Sequence, residues 1–216
     1  METRQQPALE DAVLYQWGNE QMTTNQQQKF VKHFAGAPGK VLEIGCGHGT
    51  MLGLLKKAGI SAYGLDLSES AVQICRQKGL EAVHGDALSH LKIVPPDSLG
   101  GIFCAHVIEH LAPAAALELI AESHRVLKTG GKLIFITPNA KDLRTTERFW
   151  LDITHVRLYP KKLMQFLLAR EGFSQIKTFT DTEPSNNLLE KIAKTILRLW
   201  FMGYIFTGDL VVEAQR

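Results

Sequence analysis

The chain has 216 residues, 45% of them hydrophobic and 21% charged, which is typical of one globular domain with a full core. Its net charge of +2 and its scattered basic residues argue against a nucleic-acid partner. No uncharged apolar run reaches 18 residues, so no transmembrane helix is predicted. Three cysteines without C-x-x-C spacing, and a polar start unlike a signal peptide, indicate a cytoplasmic protein.

A helix is predicted over residues 8–35, with Trp17, Phe30 and Phe34 among its apolar positions. Residues 36–39, G-A-P-G, then break it. Because this helix precedes the first predicted strand, we interpret residues 1–36 as a helical cap on the sheet.

The most informative stretch is residues 41–50, V-L-E-I-G-C-G-H-G-T, which predicts a buried strand, a glycine turn and the start of a helix. Glycines at 45, 47 and 49 can adopt positive φ and let a ligand approach the backbone. The helix start adds free N–H groups and a positive dipole end. The G-x-G-x-G spacing is one residue shorter than the dinucleotide fingerprint, and no P-loop sequence occurs.

A second strand, residues 61–66, ends in Asp66, which lies 17 residues after Gly49. An acid at about this distance can accept hydrogen bonds from ribose hydroxyls. Asp66 could instead cap the helix predicted over residues 69–78, although Ser68 can do so equally well. The pairing of Asp66 with the glycine turn favours the ribose role.

Further strands and helices alternate down the chain. The predicted strands are residues 80–83, 99–105, 132–137, 173–179 and 210–214, and the intervening helices include residues 113–127, ended by 129–131, and 160–171. Helical crossovers between strands require a parallel, doubly wound sheet, which binds ligands at the carboxyl ends of its strands. The residues at those ends are the glycine turn, Asp66, Asp86, His106 and Asn139.

Residues 40–138 contain, in order, V-L-E-I-G-C-G-H-G, G-L-D-L-S, G-D-A, I-E-H-L and V-L-K-T-G-G-K-L-I-F-I-T-P-N. This series resembles the Rossmann-like, class I S-adenosylmethionine-dependent methyltransferases, in particular those like the ubiquinone-biosynthesis O-methyltransferases. The resemblance implies an α/β fold with a doubly wound, mostly parallel seven-stranded sheet whose last strand is antiparallel. It also implies that residues 1–36 could form a flap over the active site instead of a cap.

The resemblance further implies S-adenosylmethionine as cofactor and assigns its site residue by residue. Leu67 would pack on the adenine face, Asp86 would accept a hydrogen bond from the adenine amine, and His106 would lie beside the methionine end. The complete set of implied cofactor-binding residues is Glu43, Gly45, Gly47, Gly49, Asp66, Leu67, Asp86, Ala87 and His106.

Residues 139–159 are predicted to be a connection with little periodicity, and such long connections are usually functional. The sequence F-W-L-D-I-T-H-V-R resembles a segment of methyltransferases from polysaccharide and glycan clusters, which usually have Pro in place of Ile153. We expect substrate contacts from Arg148, Trp150, Arg157 and Tyr159, with the arginines suited to an anionic group.

A neutral imidazole can take the proton of an attacking hydroxyl, so His155 is the first candidate for a general base and His106 the second. A structural hydrogen bond is the alternative role for His155.

No metal is predicted, and Glu109 and His110 are weak candidates. Small-RNA terminal 2′-O-methyltransferases, which this chain resembles distantly, bind a divalent ion through E-x-x-E-H and a later His. His106 replaces the first of those glutamates here.

An amphipathic helix is predicted within residues 187–206, before the last strand. We interpret it as packed on the sheet or on a partner in a homodimer. A basic amphipathic helix with a Trp could also lie on a membrane surface.

The expected function is therefore that of a single methyltransferase domain, residues 1–216, which O-methylates a hydroxyl or phosphate of a small molecule or glycan. N-methylation of a small amine is one alternative. The other is a non-catalytic partner protein that binds the cofactor.

Overall fold

The computed structural model describes residues 20–181, 187–201 and 207–216, and the side chains of residues 20–22, 146, 148, 188, 190 and 198 are outside this description. The first part of the predicted helix over residues 8–35, including Trp17, therefore lies outside the described residues. The same holds for residues 202–206 of the predicted amphipathic segment.

Strands and helices alternate along the described chain. The strands are Lys40–Ile44 (β1), Ala62–Asp66 (β2), Ala82–His84 (β3), Leu99–Ala105 (β4), Leu127–Thr137 (β5), Ser174–Asp181 (β6) and Asp209–Gln215 (β7). The α-helices are Glu20–Val31 (α1), Thr50–Lys57 (α2), Glu69–Gln77 (α3), Ala87–Ile93 (α4), Pro113–Val126 (α5), Leu143–Leu151 (α6), Lys161–Arg170 (α7) and Leu188–Trp200 (α8), and two 3-10 helices span Lys32–Phe34 and Ile108–His110.

The strands form one seven-stranded sheet in the order β3-β2-β1-β4-β5-β7-β6. Every neighbouring pair is parallel except the two made by β7, which is antiparallel to both β5 and β6. The predicted mostly parallel sheet with an antiparallel last strand is thereby confirmed. The chain reverses its direction of winding between β1 and β4, so the carboxyl ends of these strands form the switch point where such sheets bind ligands.

Helices cover both faces of the sheet, which is why most strand residues are apolar. Successive residues of a strand point to opposite faces. Leu42 of β1 accordingly lies in the cluster that includes α4, α5 and α7, and Val41 lies in the cluster that includes α1 and α2.

The connection between α5 and β5 differs from the prediction. The helix ends at Val126 and the strand begins at Leu127, so residues 129–131 lie within β5 and do not terminate the helix. The register against β4 shifts there, from Leu99 opposite Leu127 to Gly101 opposite Lys132. Gly130, with φ of 81°, lets the extra residues form a bulge that the sequence pattern did not indicate.

Residues 139–159 are also more regular than predicted, because they contain α6. The side chain of Asp142 caps this helix by accepting a hydrogen bond from the Arg144 amide at 3.0 Å. The other carboxylate oxygen of Asp142 accepts from the Thr207 amide at 2.8 Å. Asp142 thus ties the start of α6 to the chain that enters β7.

Helix α8 leaves much of its apolar face exposed in the described part of the chain. Leu189, Leu199 and Trp200 expose 74%, 75% and 78% of their surface. The interpretation that this face packs on the sheet is wrong, because α1, α2, α4, α5 and α7 already cover both sheet faces. None of the helices in the described part of the chain has the length and hydrophobicity of a transmembrane span.

The described end of the N-terminal segment packs on the sheet. Phe30 and Phe34 are buried in the cluster that also contains Phe103, and the Phe34 ring meets Phe103 edge to face at 6.4 Å. Gly101 makes room for Phe34, since a Cβ at Gly101 would lie 2.6 Å from the Phe34 ring. Phe30 and Phe34 therefore fix this part of the segment to one face of the sheet, and the cap over residues 1–36 stays a prediction.

Replacing Phe34 with Ala should lower the free energy of unfolding by about 3–5 kcal/mol, because the site is closed on all sides and would retain a cavity. The control is Phe166→Ala on α7, where the ring is 63% exposed, and it should change stability by about 0.5 kcal/mol or less. Chemical denaturation of the two variants measures this. Equal losses for both would contradict the packing described here.

Candidate active site

The turn between β1 and α2 is held in shape by its three glycines, which adopt φ of 73°, 48° and 80°. A Cβ at Gly45 would lie 2.4 Å from Val107, and one at Gly49 would lie 2.6 Å from Leu80. A Cβ at Gly47 would meet no atom within 4 Å. Packing therefore requires two of the glycines, and Gly47 presents bare backbone to open space, as a ligand cradle requires.

Asp66, at the carboxyl end of β2, faces this turn. One carboxylate oxygen accepts a hydrogen bond from the Gly47 amide at 2.7 Å, and the other accepts from the Ser68 amide at 2.9 Å. The helix cap of α3 is Ser68, whose hydroxyl accepts from the Ala71 amide. Asp66 is thus not the cap of α3, and its partly exposed carboxylate is placed beside the bare backbone of Gly47.

Glu43 was expected to contact the cofactor, but its side chain points away from the open side of the turn. Its side chain is buried under the turn, and one carboxyl oxygen accepts from the Leu52 amide of α2 at 3.1 Å. Burial raises the pKa of Glu43 well above its usual range. Glu43 therefore fixes the first turn of α2 against β1 and does not itself face a ligand, which corrects its expected role as a contact residue.

The expected adenine contacts lie at the neighbouring strand ends. Leu67 is 66% exposed beside Asp66, and the His84 ring hydrogen-bonds the Leu67 carbonyl at 2.9 Å. Asp86 follows β3 and caps α4, whose first residue is Ala87, by accepting from the Ser89 amide at 2.8 Å. That hydrogen bond lowers the pKa of Asp86 and keeps the carboxylate charged.

These strand ends fit S-adenosylmethionine. The ribose hydroxyls need an acceptor, which Asp66 supplies, and adenine needs an exposed apolar surface, which Leu67 supplies. Asp86 places a second carboxylate at the next strand end, where an exocyclic amine could donate to it. Open space at Gly47 leaves room for the ligand to reach the backbone.

His106, at the carboxyl end of β4, is held between two acids. Its φ of 55° lies in the left-handed region, a strained conformation for a residue with a side chain. Its Nδ1 lies 3.3 Å from the Glu109 carboxylate and its Nε2 lies 3.5 Å from Asp209. Desolvation lowers the pKa of His106, but the hydrogen bond to Glu109 and the charges of Asp209 and Glu109 outweigh it and raise this pKa to about 9.

His155 is positioned by its own segment. Its Nδ1 lies 2.8 Å from the Phe149 carbonyl, and its ring stacks on the Phe149 ring with centroids 4.5 Å apart. A carbonyl can only accept, so Nδ1 carries the proton and Nε2 is the lone-pair atom of the neutral ring. Asp152 lies 3.8 Å from that Nε2. The predicted structural hydrogen bond and an available base atom thus coexist in one side chain.

The segment around His155 is attached to the switch point through Glu109. The Glu109 carbonyl accepts from the amides of Val156 and Arg157 at 2.8 and 3.1 Å. The buried Glu109 carboxylate accepts from the Thr137 hydroxyl at 3.1 Å. These bonds place the His155 segment at the carboxyl end of β4.

Glu109, His110 and His155 each offer an atom that could ligate a metal, and these atoms lie within 4.8 Å of one another. This donor set suits a divalent cation. However, the Glu109 carboxylate already serves His106 and Thr137. The prediction of no metal therefore stays a prediction, with these residues as its weak candidates.

The residues that were expected to contact the substrate differ in their exposure to solvent. Trp150 and Arg157 are exposed, and the Arg157 guanidinium lies 5.9 Å from the centroid of the Tyr159 ring. Tyr159 is buried in the main core, so its expected substrate contact is corrected. Arg148 belongs to α6, but its side chain lies outside the described residues.

Two features of the site had no signal in the sequence. Asp209 reaches His106 only because antiparallel β7 begins beside the end of β5. Thr154 reaches His110, 44 residues earlier, at 2.8 Å. Neither contact follows from spacing, because both depend on how distant segments meet.

Comparison with known proteins agrees with this geometry. The sequence matches the methyltransferase domain family over residues 42–135. A ubiquinone biosynthesis O-methyltransferase of Methylococcus capsulatus is 32% identical over 112 residues, which cover 50% of this chain and 46% of the relative. The Xylella fastidiosa enzyme of that name is 31% identical over 137 residues, 59% of this chain and 53% of the relative. The chain thus spans about half the length of these relatives.

The fold match extends further than the sequence match. The crystal structure of a SAM dependent methyltransferase from Archaeoglobus fulgidus has a TM-score of 0.80 and 26% identity, and the match covers 92% of this chain and 95% of that one. The glycine turn, Asp66 and the strand order agree with this family. The domain match over residues 42–135 and the fold match together support a class I S-adenosylmethionine-dependent methyltransferase, with S-adenosylmethionine as its cofactor.

Proposed function

We propose that this protein transfers a methyl group from S-adenosylmethionine to a hydroxyl oxygen of a small molecule or glycan. The observation that supports this most directly is the fixed tautomer of His155. Its Nε2 is a proton acceptor at the carboxyl end of β4, next to the strand that bears the glycine turn.

S-adenosylmethionine supplies an electrophilic methyl group on a sulfonium sulfur. The chain must position the attacking hydroxyl and accept its proton. His155 Nε2 accepts that proton, while the Phe149 carbonyl holds Nδ1 and prevents the ring from turning. Asp152, 3.8 Å from Nε2, stabilises the imidazolium that forms.

His106 does not serve as the base in this proposal. With a pKa of about 9, its ring is protonated near neutral pH and has no lone pair to accept a proton. His106 instead supplies a positive charge at the carboxyl end of β4, in keeping with its expected place beside the amino-acid end of the cofactor.

Oxygen is favoured over nitrogen as the acceptor atom for two reasons. A hydroxyl needs a base more than an amine does, and the site provides one in His155. The relatives named above are O-methyltransferases, and the alignment with this chain covers about half the length of each. Trp150, exposed on α6, offers an aromatic surface for a sugar or phenol ring.

We also propose that α8 brings the protein to an anionic membrane surface. Its apolar residues occupy one half of the helix, those whose side chains the structure describes are exposed, and Lys191 and Lys194 lie on the other half. Such a helix lies in the lipid interface with its lysines near anionic headgroups. This position would suit an acceptor that is linked to a lipid.

Asp66→Asn should weaken the binding of S-adenosylhomocysteine by about 10- to 100-fold, because hydrogen bonds to a charged acceptor contribute about 1.5–3 kcal/mol. Isothermal titration calorimetry measures the affinity. The matched control is Glu118→Gln, a partly exposed carboxylate paired with Lys92, which should bind as the wild type does. Unchanged affinity in Asp66→Asn would contradict the ribose role.

His155→Asn keeps an N–H that can reach the Phe149 carbonyl but removes Nε2. It should lower kcat for a hydroxyl acceptor by about 10²- to 10⁴-fold and leave S-adenosylhomocysteine affinity unchanged. His124→Asn, on α5 against Phe173, serves as the control. Full activity of His155→Asn would show that His155 is not the base.

Leu199→Gln should weaken binding to vesicles that contain phosphatidylglycerol by about 10- to 100-fold, since burying a Leu contributes about 1.5–3 kcal/mol. Ile93→Gln, an equally exposed apolar residue on α4, should leave binding unchanged. Co-sedimentation with vesicles measures both. A stable dimer that Leu199→Gln dissociates, or vesicle binding that does not depend on Leu199, would contradict the membrane proposal.

A further inference from the structure

His110 is held by a relay of two side chains from the His155 segment. The Thr154 hydroxyl lies 2.6 Å from Asp152 Oδ1 and 2.8 Å from His110 Nδ1. The Thr154 amide also donates to Asp152 Oδ1, at 2.9 Å. Thr154 therefore makes two hydrogen bonds to Asp152, and its hydroxyl also contacts His110.

The direction of each bond in this relay is determined by chemistry. An ionised carboxylate only accepts, so the single hydroxyl proton of Thr154 goes to Asp152. The hydroxyl oxygen can then only accept from His110. His110 Nδ1 consequently carries a proton, and Nε2 is the lone-pair atom of the neutral ring.

His155 shows the same arrangement, with its Nδ1 donating to the Phe149 carbonyl. The two rings lie side by side, with centroids 4.5 Å apart. Within the described chain, neither Nε2 receives a hydrogen bond from a protein donor. Burial lowers the pKa of His110, in agreement with a neutral ring.

We propose that His110 is a further residue of the acceptor site, whose Nε2 accepts a hydrogen bond from a substrate hydroxyl beside His155, and that Asp152 and Thr154 are its positioning residues. This inference rests on the proposed transfer to a hydroxyl. Two neighbouring lone pairs match a ligand that brings O–H donors. A phosphate dianion brings only acceptors and is disfavoured, which narrows the expected class of acceptor to neutral hydroxyl groups.

Thr154 offers a matched pair of variants. Thr154→Val keeps the shape but removes the hydroxyl, and Thr154→Ser keeps the hydroxyl. Imidazole ¹⁵N chemical shifts distinguish the two tautomers of a histidine directly. The wild type and Thr154→Ser should show His110 protonated on Nδ1, whereas Thr154→Val should lose this preference.

Phenol and anisole serve as probes in the presence of S-adenosylhomocysteine, because they differ in the hydroxyl proton. Phenol should shift the His110 Nε2 resonance and anisole should not. Thr154→Val should weaken the binding of phenol by a factor of about two to twelve, the range expected for one hydrogen bond, and Thr154→Ser should restore it.

Three results would overturn the inference. The first is an equal shift of His110 with anisole, and the second is unchanged phenol binding in Thr154→Val. The third is one equivalent of a divalent metal in the purified protein, bound by both histidines. None of these readouts requires turnover, so a protein that binds phenol through His110 but transfers no methyl group would contradict the proposed function and not this inference.

Discussion

The turn after β1 depends on the absence of side chains at Gly45 and Gly49. Val107 and Leu80 occupy the space that those side chains would need. This close packing directs the chain into α2 and leaves the Gly47 amide within 2.7 Å of Asp66. The ends of β1, β2 and β4 adjoin where the parallel sheet reverses its winding, and this is where we expect the cofactor to bind.

A second constraint attaches the segment that carries His155 to the chain just after β4. The Glu109 carbonyl accepts two backbone hydrogen bonds from the His155 segment, and these bonds hold that segment beside the end of β4. The backbone carbonyl of Phe149 then determines that Nδ1 of His155 is protonated, and the Thr154 hydroxyl does the same for Nδ1 of His110. Glu109 and Asp209 keep the His106 ring protonated. The Phe149 carbonyl holds Nδ1 of His155 and leaves the lone pair on its Nε2.

The sequence predicted the parts of this arrangement that depend on local patterns. The apolar strands, the glycine turn and Asp66 follow from spacing, and the structure confirms the sheet. We expected Glu43 to contact the cofactor and Tyr159 to contact the substrate. Both side chains are buried and stabilise the fold instead. The contact of Asp209 with His106 could not be predicted, because it depends on how β7 pairs with β5.

The measurement that tests the account most directly is the transfer of a labelled methyl group from S-adenosylmethionine to a panel of phenols and sugars, with primary amines for comparison. We expect the label on a hydroxyl oxygen, identified by mass spectrometry of the product. Label on amines alone would contradict the choice of oxygen. A protein that binds S-adenosylhomocysteine yet labels no acceptor in the panel would contradict the proposed enzyme and favour a non-catalytic cofactor-binding protein.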